Sequence, residues 1–144
     1  MTPGLFGRIQ TRWFLLAVVG SVVTALVTPL LPGARADVAS YTSTFVVLLL
    51  VALAGTVWEL VYHGFQQFRW EKDWPTLLGL LVGIPEGVVV WWILQTGEVP
   101  GAAHVGGGAF VVHFALVWVT TWVCVNGPMR IVSVRWRYNG GRLV

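Results

Sequence analysis

Residues 76–95, TLLGLLVGIPEGVVVWWILQ, form a run of about 20 residues that contains one charged side chain, Glu86. As a helix that rises ~1.5 Å per residue, this run matches the ~30 Å hydrocarbon core of a bilayer. Three other apolar runs of similar length occur in the chain. The sequence therefore predicts an all-α integral membrane protein, a four-helix bundle with spans at about 13–31, 42–62, 76–95 and 109–125.

The composition agrees with this fold class. Apolar residues make up 56 % of the chain and charged residues 10 %, against ~25 % charged residues in soluble domains. A length of 144 residues leaves room for one transmembrane domain, residues 1–144. The net charge of +3 favours anionic lipid over nucleic acid as the partner, because the basic residues flank the apolar runs.

The distribution of Lys and Arg predicts the orientation. Eight of the nine basic residues fall in the amino-terminal tail, the loop at 63–75 and the tail at 128–144, and only Arg35 falls on the opposite side. The positive-inside rule then places both termini in the cytoplasm. The predominance of arginine over lysine favours a high-GC bacterium, so we expect a multi-pass protein of the bacterial plasma (inner) membrane.

The first apolar run has an alternative interpretation. It is followed by Ala34-Arg35-Ala36, which resembles the A-x-A cleavage site of a secretory signal peptide. The run is about 19 residues long, whereas signal cores have about 7–15 apolar residues. We therefore expect residues 1–36 to be retained, with their cleavage as the alternative.

Glu86 is the first candidate for function. A charge at the centre of a bilayer costs ~2.5–3.5 kcal/mol, so it needs a partner, a water-filled cavity or a proton. Pro85 removes one helical N–H beside it, and a broken helix with a carboxylate is typical of transporter sites. A water-bridged relay to His113 is a further hypothesis. The alternative is a protonated side chain that only fixes helix packing.

Small residues on two spans predict close helix packing. Span three carries Gly79, Gly83 and Gly87 at a spacing of four. Span one carries small side chains at a spacing of three or four, among them Gly20, Ser21 and Thr24. Such ridges let helices approach closely. We therefore expect spans one and three to pack together, or one of them to form an oligomer contact.

Two polar segments are candidates for binding on the cytoplasmic side. The loop predicts either an interfacial aromatic belt or a docking surface for a partner, made of Gln66, Gln67, Arg69, Trp70, Glu71, Lys72, Asp73 and Trp74. In the tail, Val132, Val134, Trp136 and Tyr138 alternate with polar residues. A tail at the lipid headgroups, or a disordered basic tail, would contact anionic lipid through Arg130, Arg135, Arg137 and Arg142.

The sequence offers no metal, cofactor or catalytic site that we can define. Glu59 and His63 share one face of span two, but a carboxylate-bridged metal site needs more ligands. We therefore expect no metal and no cofactor, and an enzyme is the less favoured class. The leading expectation is a non-catalytic accessory or structural subunit of a larger membrane complex or of a homo-oligomer. The alternative is a small transporter or proton/ion-conducting protein that uses Glu86.

Overall fold

The structure, a computed structural model, describes residues 4–68, 76–102 and 105–143. All regular secondary structure in these residues is helical. Four helical segments are long and apolar enough to cross a membrane. This confirms the predicted all-helical fold, and it fits a multi-pass membrane protein. These segments, called spans one to four below, are Leu5–Leu30, Val38–Gln67, Thr76–Gln95 and Gly107–Val132. The side of the membrane on which the termini lie stays a prediction.

Span one begins eight residues earlier than the sequence predicts, so Arg8 and Arg12 belong to a helix and not to a tail. Hydropathy misplaces this boundary because both arginines are paired with carboxylates inside the bundle. The span departs from α-helical geometry in its middle and at its end. Its segments are α1 (Leu5–Leu15), a π-helical turn (Leu16–Gly20), α2 (Ser21–Val27) and a 3₁₀ turn (Thr28–Leu30).

Span two is one continuous helix, α3 (Val38–Gln67), of 30 residues. At ~1.5 Å per residue it is ~45 Å long, which is more than the hydrocarbon core requires. Asp37 caps its first turn, since its Oδ1 accepts the Ser40 N–H at 2.8 Å. This hydrogen bond lowers the pKa of the Asp37 carboxyl below its usual value.

Span three consists of α4 (Thr76–Leu81) and α5 (Gly83–Gln95), which are separated by an interruption at Val82. Pro85 follows the interruption and has no N–H to donate to the carbonyl one turn earlier. The indole Nε1 of Trp118, from span four, donates to the Leu80 carbonyl at 3.0 Å. A side chain from a neighbouring span therefore supplies a donor next to the interruption.

Span four contains α6 (Gly107–Asn126), which ends one residue beyond the predicted span, and helical structure resumes in α7 (Pro128–Val132). Its aromatic side chains form a row at a spacing of four, with Phe110 5.6 Å from Phe114 and Phe114 6.0 Å from Trp118 between ring centroids. These side chains face span three.

The glycine ridge of span three packs against this aromatic row. The sequence predicts that it packs against span one or forms an oligomer contact, and the oligomer contact stays a prediction. The Trp118 indole covers Gly83, and Phe114 covers Gly87, so closely that an added Cβ would overlap either ring. Gly79 is exposed and has more room, with 3.8 Å between its ideal Cβ position and Trp122 Nε1. The ridge therefore makes room for large rings instead of for another backbone.

The small residues of span one pack elsewhere. Gly20 is buried against Leu48 of span two and Val117 of span four. Thr24 is also buried, whereas Ser21 is half-buried. The small residues of spans one and three thus serve different interfaces.

The carboxyl-terminal tail is largely helical, in contrast to the disordered tail that is one of the two sequence-based alternatives. It forms α7 and then α8 (Val134–Tyr138), and it folds back onto the start of span one. Trp136 is 8 % exposed, and its Nε1 donates to Thr11 Oγ1 at 2.7 Å. The Gly4 N–H donates to the Gly140 carbonyl at 3.0 Å. Both ends of the chain therefore lie at one end of the bundle.

Candidate functional site

Four charged side chains from three spans form one cluster, which we call the charge cluster: Arg8, Arg12, Glu59 and Glu86. The two arginines lie one turn apart on span one and therefore share a face of the helix. Arg8 Nε lies 3.1 Å from Glu59 Oε2, and Arg12 Nη1 lies 3.5 Å from Glu59 Oε1. Arg12 Nη2 also pairs with Glu86 Oε1. With both carboxylates ionised, two positive and two negative charges balance within the cluster.

Glu86 is fully buried, and its partner is Arg12. A carboxylate inside a span needs such a partner. From the sequence, Arg12 is predicted to lie in the amino-terminal tail and to help set the orientation of the chain in the membrane. The second carboxylate oxygen, Oε2, has no hydrogen-bond partner among the residues that the structure describes. Pro85, the residue before it, is exposed.

The guanidinium of Arg12 contacts all three of the other spans. Gly55 of span two provides the space, because an added Cβ there would overlap the guanidinium group. The Trp118 ring of span four lies 5.4 Å from Arg12 Cζ, a distance at which a cation–π interaction is favourable. The Arg12 side chain is only 11 % exposed. Sequence reasoning missed Arg8, Arg12, Glu59 and Gly55 as site residues.

Arg8 connects the charge cluster to the end of span two. Its Nη1 donates to Gln66 Oε1 at 2.7 Å. Gln66 was predicted to lie in a docking loop, whereas here it binds inside the chain, and Gln67 is exposed. The rest of that predicted surface lies outside the described residues, namely Arg69, Trp70, Glu71, Lys72, Asp73 and Trp74.

A cavity of about 350 Å³ lies beside the charge cluster, between span one and the facing parts of spans three and four. Arg8, Arg12 and Glu59 form its charged wall. Three indoles, those of Trp118, Trp122 and Trp136, form much of its apolar wall. Thr11, Thr76, Gly79, Thr121, Asn126 and Arg130 also line it. It lies at the end of the bundle where both ends of the chain meet.

The predicted headgroup-binding arginines of the tail are exposed. Arg130 is the one that lines the cavity, and its Nη2 donates to Asn126 Oδ1 at 3.1 Å. Arg137 lies over the ring of Tyr138 at 5.7 Å. Arg135 and Arg142 complete the set.

A second buried polar group lies toward the other end of the bundle. His113 Nε2 is 2.8 Å from Thr24 Oγ1, and Thr28 Oγ1 donates to the Thr24 carbonyl at 2.6 Å. Thr28 Oγ1 also lies 2.8 Å from Thr44 Oγ1. We call these four residues the histidine–threonine network. The water-bridged relay between Glu86 and His113 stays a hypothesis. In the structure Glu86 pairs with Arg12, and His113 contacts Thr24.

Buried apolar residues lie between the two buried polar groups along spans one and two. Leu16 lies between Arg12 and Thr24 in the sequence, and Leu48 and Val51 lie between Thr44 and Glu59. With Val117 of span four they belong to one apolar core, and we call these four residues the apolar layer. A void of about 10 Å³ adjoins His113, Leu48, Val51 and Val117, which is about the smallest space that holds one water molecule. Leu16 also lines the cavity beside the charge cluster.

The described residues contain no group of three or more His, Cys, Asp or Glu side chains that could hold a metal ion. Glu59, which shares a helix face with His63, is engaged by two arginines. Cys124 is partly buried and is not oxidised to a disulfide. The charged side chains gathered beside the cavity can form ion pairs, exchange protons and bind a charged ligand.

Comparison of the chain with protein-family models, with curated proteins and with solved structures found no match.

Proposed function

We propose that this protein is a small transporter that couples the movement of a solute to the protonation of Glu86. The observation that carries the proposal is the sharing of Arg12. This buried arginine pairs with Glu86 on one side and with Glu59 on the other, and it also lines the cavity. The proposal follows the second of the two sequence-based hypotheses.

The shared arginine provides a physical route for coupling. When Glu86 is ionised, the charge cluster is neutral. A proton on Glu86 Oε2, the oxygen without a hydrogen-bond partner, leaves the cluster with one excess positive charge. An uncompensated buried charge is costly, so the protonated cluster favours an anion in the adjacent cavity. Proton uptake and anion uptake are then linked.

Irregular helix geometry supports the proposal. Span one has a π-helical turn at Leu16–Gly20, and span three is interrupted at Val82. Both spans contribute a member of the Arg12–Glu86 pair. π-Helical turns are frequent at functional sites, and discontinuous helices form the binding sites of many transporters. These two positions are where we expect the spans to bend.

The apolar layer is the proposed barrier to the other side. Leu16 of this layer lines the cavity, and the void beside His113 adjoins the other members, Leu48, Val51 and Val117. Transport requires a second conformation in which the layer opens and the cavity closes. The network then offers polar side chains on the second half of the path.

We also propose the orientation and location that the sequence predicts. The termini and the cavity then face the cytoplasm of a bacterium, and the protein lies in the plasma membrane. The expectation of an accessory subunit stays a prediction, because most of its docking loop lies outside the described residues. Cysteine-accessibility labelling tests the orientation, and labelling of either terminus from outside intact cells would contradict it.

The test of transport is proton flux into liposomes that contain the purified protein and an internal pH dye. Flux is measured under a membrane potential, with and without external hexyl phosphate as the anion. We expect flux above that of protein-free liposomes in at least one condition, and its loss in Glu86→Gln. Glu98→Gln is the matched control, because Glu98 is exposed between spans three and four. Flux equal to that of protein-free liposomes in both conditions would overturn the proposal.

A further inference from the structure

We infer that the cavity binds an anionic amphiphile, a molecule with one phosphate-like oxyanion head and an apolar chain. As the identity of a transported solute, this inference rests on the proposed function. As a statement about binding, it is tested separately.

The charges of the cavity wall favour an anion. Among the described residues, three arginines line the cavity, Arg8, Arg12 and Arg130, against the carboxylate of Glu59. Arg12 Nε is buried and has no hydrogen-bond partner among the described residues. Guanidinium groups bind oxyanions through paired, charge-assisted hydrogen bonds. Since Glu86 balances one of these charges through Arg12, the described wall has one excess positive charge, which rises to two when Glu86 is protonated.

The indoles of the cavity wall select an apolar body. Trp118 and Trp122 are held in place from span three, because their Nε1 atoms donate to the carbonyls of Leu80 at 3.0 Å and Thr76 at 3.2 Å. Trp136 is held by its hydrogen bond to Thr11. The polar edges of all three indoles are thus occupied by the protein itself. Their ring faces can therefore make apolar contacts, either with a ligand in the cavity or with other side chains of the bundle.

The size and position of the cavity fit one such molecule. Its volume of about 350 Å³ lies at the lower end of the range for small-molecule sites, ~300–1,000 Å³. It lies at an end of the bundle, and part of its wall is formed by Thr76 and Gly79, which are exposed on span three. Basic pockets between spans at this depth are suited to anionic headgroups. The same chemistry occurs in a phospholipid and in a free alkyl phosphate.

The binding test uses the full chain in nanodiscs of phosphatidylcholine, which carries no net charge. Hexyl phosphate is titrated in by calorimetry, beside inorganic phosphate and hexyltrimethylammonium. We expect saturable binding of hexyl phosphate, weaker binding of inorganic phosphate and no binding of the cation. Since charge-assisted hydrogen bonds contribute ~1.5–3 kcal/mol, Arg8→Gln and Arg130→Gln should each raise Kd about 10-fold or more.

Arg135→Gln is the matched control, because Arg135 is exposed on α8 and does not line the cavity. It should leave Kd unchanged. Arg130 is also exposed, so the Arg130→Gln chain is expected to fold even if Arg8→Gln does not. The inference is overturned if hexyl phosphate does not bind, if Arg130→Gln binds it as wild type does, or if the cation binds more tightly.

A second set of nanodiscs, which contain phosphatidic acid, distinguishes the two sources of the ligand. Competition with hexyl phosphate would identify a lipid headgroup as the ligand, and its absence would identify a free solute. Either result supports the inference. Binding of hexyl phosphate without proton flux would support the binding site and overturn the transport function. Proton flux without binding would support transport and overturn the binding site.

Discussion

Arg12 Nη2 pairs with Glu86 Oε1 across 74 positions of sequence, and this contact joins the first span to the middle of the third. The partner of the buried carboxylate therefore comes from the amino-terminal end of the chain. Since Arg12 also contacts Glu59, Gly55 and Trp118, one guanidinium group holds four spans together. This makes the amino-terminal half of span one part of the site.

Gly55→Ala should disturb the site without replacing any charged residue. The new Cβ would overlap the Arg12 guanidinium group, so we expect a loss of about 1–3 kcal/mol of stability through overpacking. Thermal unfolding in detergent measures the change. Gly64→Ala is the matched control in the same helix, since no atom lies within 4 Å of its ideal Cβ position. A variant at Gly55 as stable as the one at Gly64 would contradict the position of Arg12.

Gly83→Ala tests the contact between the glycine ridge and the aromatic row. We expect it to displace the Trp118 indole, which covers Gly83, and to cost about 1–3 kcal/mol. Gly79→Ala should cost little, because its ideal Cβ position has 3.8 Å of clearance from Trp122. The two variants are compared by their unfolding midpoints. Equal effects at the two glycines would show that Trp118 does not pack there.

Asp37→Asn tests the pH dependence of the cap on span two. The hydrogen bond from the Ser40 N–H lowers the pKa of Asp37 below 3.8 in the folded state. The ionised carboxylate therefore stabilises the fold above pH 3.8, and this contribution is lost as the pH falls through the lowered pKa.

Asparagine also caps helices but does not titrate in this range. Wild type and Asp37→Asn should therefore have similar unfolding midpoints near neutral pH, and wild type should lose more stability on acidification to about pH 3. A parallel loss in both proteins would show that Asp37 contributes nothing to the acid response.

The sequence predicts the four spans well because apolar length is a local property. It places the start of span one too late, since hydropathy counts Arg8 and Arg12 as solvated charges and cannot register that Glu59 and Glu86 neutralise them. It does indicate that Glu86 needs a partner. The sequence feature that could have identified the partner is the spacing of Arg8 and Arg12, which puts both arginines on one helix face. They lie near the same end of the bundle as Glu59, in the last turn of predicted span two.

The glycine ridge shows a different limit of sequence reasoning. A spacing of four identifies Gly79, Gly83 and Gly87 as a contact surface, but it does not identify what fills it. The row from Phe110 to Trp118 at the same spacing was the complementary signal. For the tail, alternation suggests a segment at the lipid headgroups. It does not predict that Trp136 is buried by its contact with span one, which no local pattern encodes.

The most direct test of the account is a double-mutant cycle between Arg12 and Glu86, measured as free energies of unfolding in one detergent. Arg12→Gln leaves a carboxylate buried without its main partner, so we expect a loss of about 3–5 kcal/mol. Glu86→Gln should cost less, because Arg12 retains Glu59. In the double variant both charges are gone, and we expect the loss to be smaller than the sum of the two single losses by about 1–3 kcal/mol. Losses that add without coupling would contradict an ion pair between Arg12 and Glu86, and with it the proposed site.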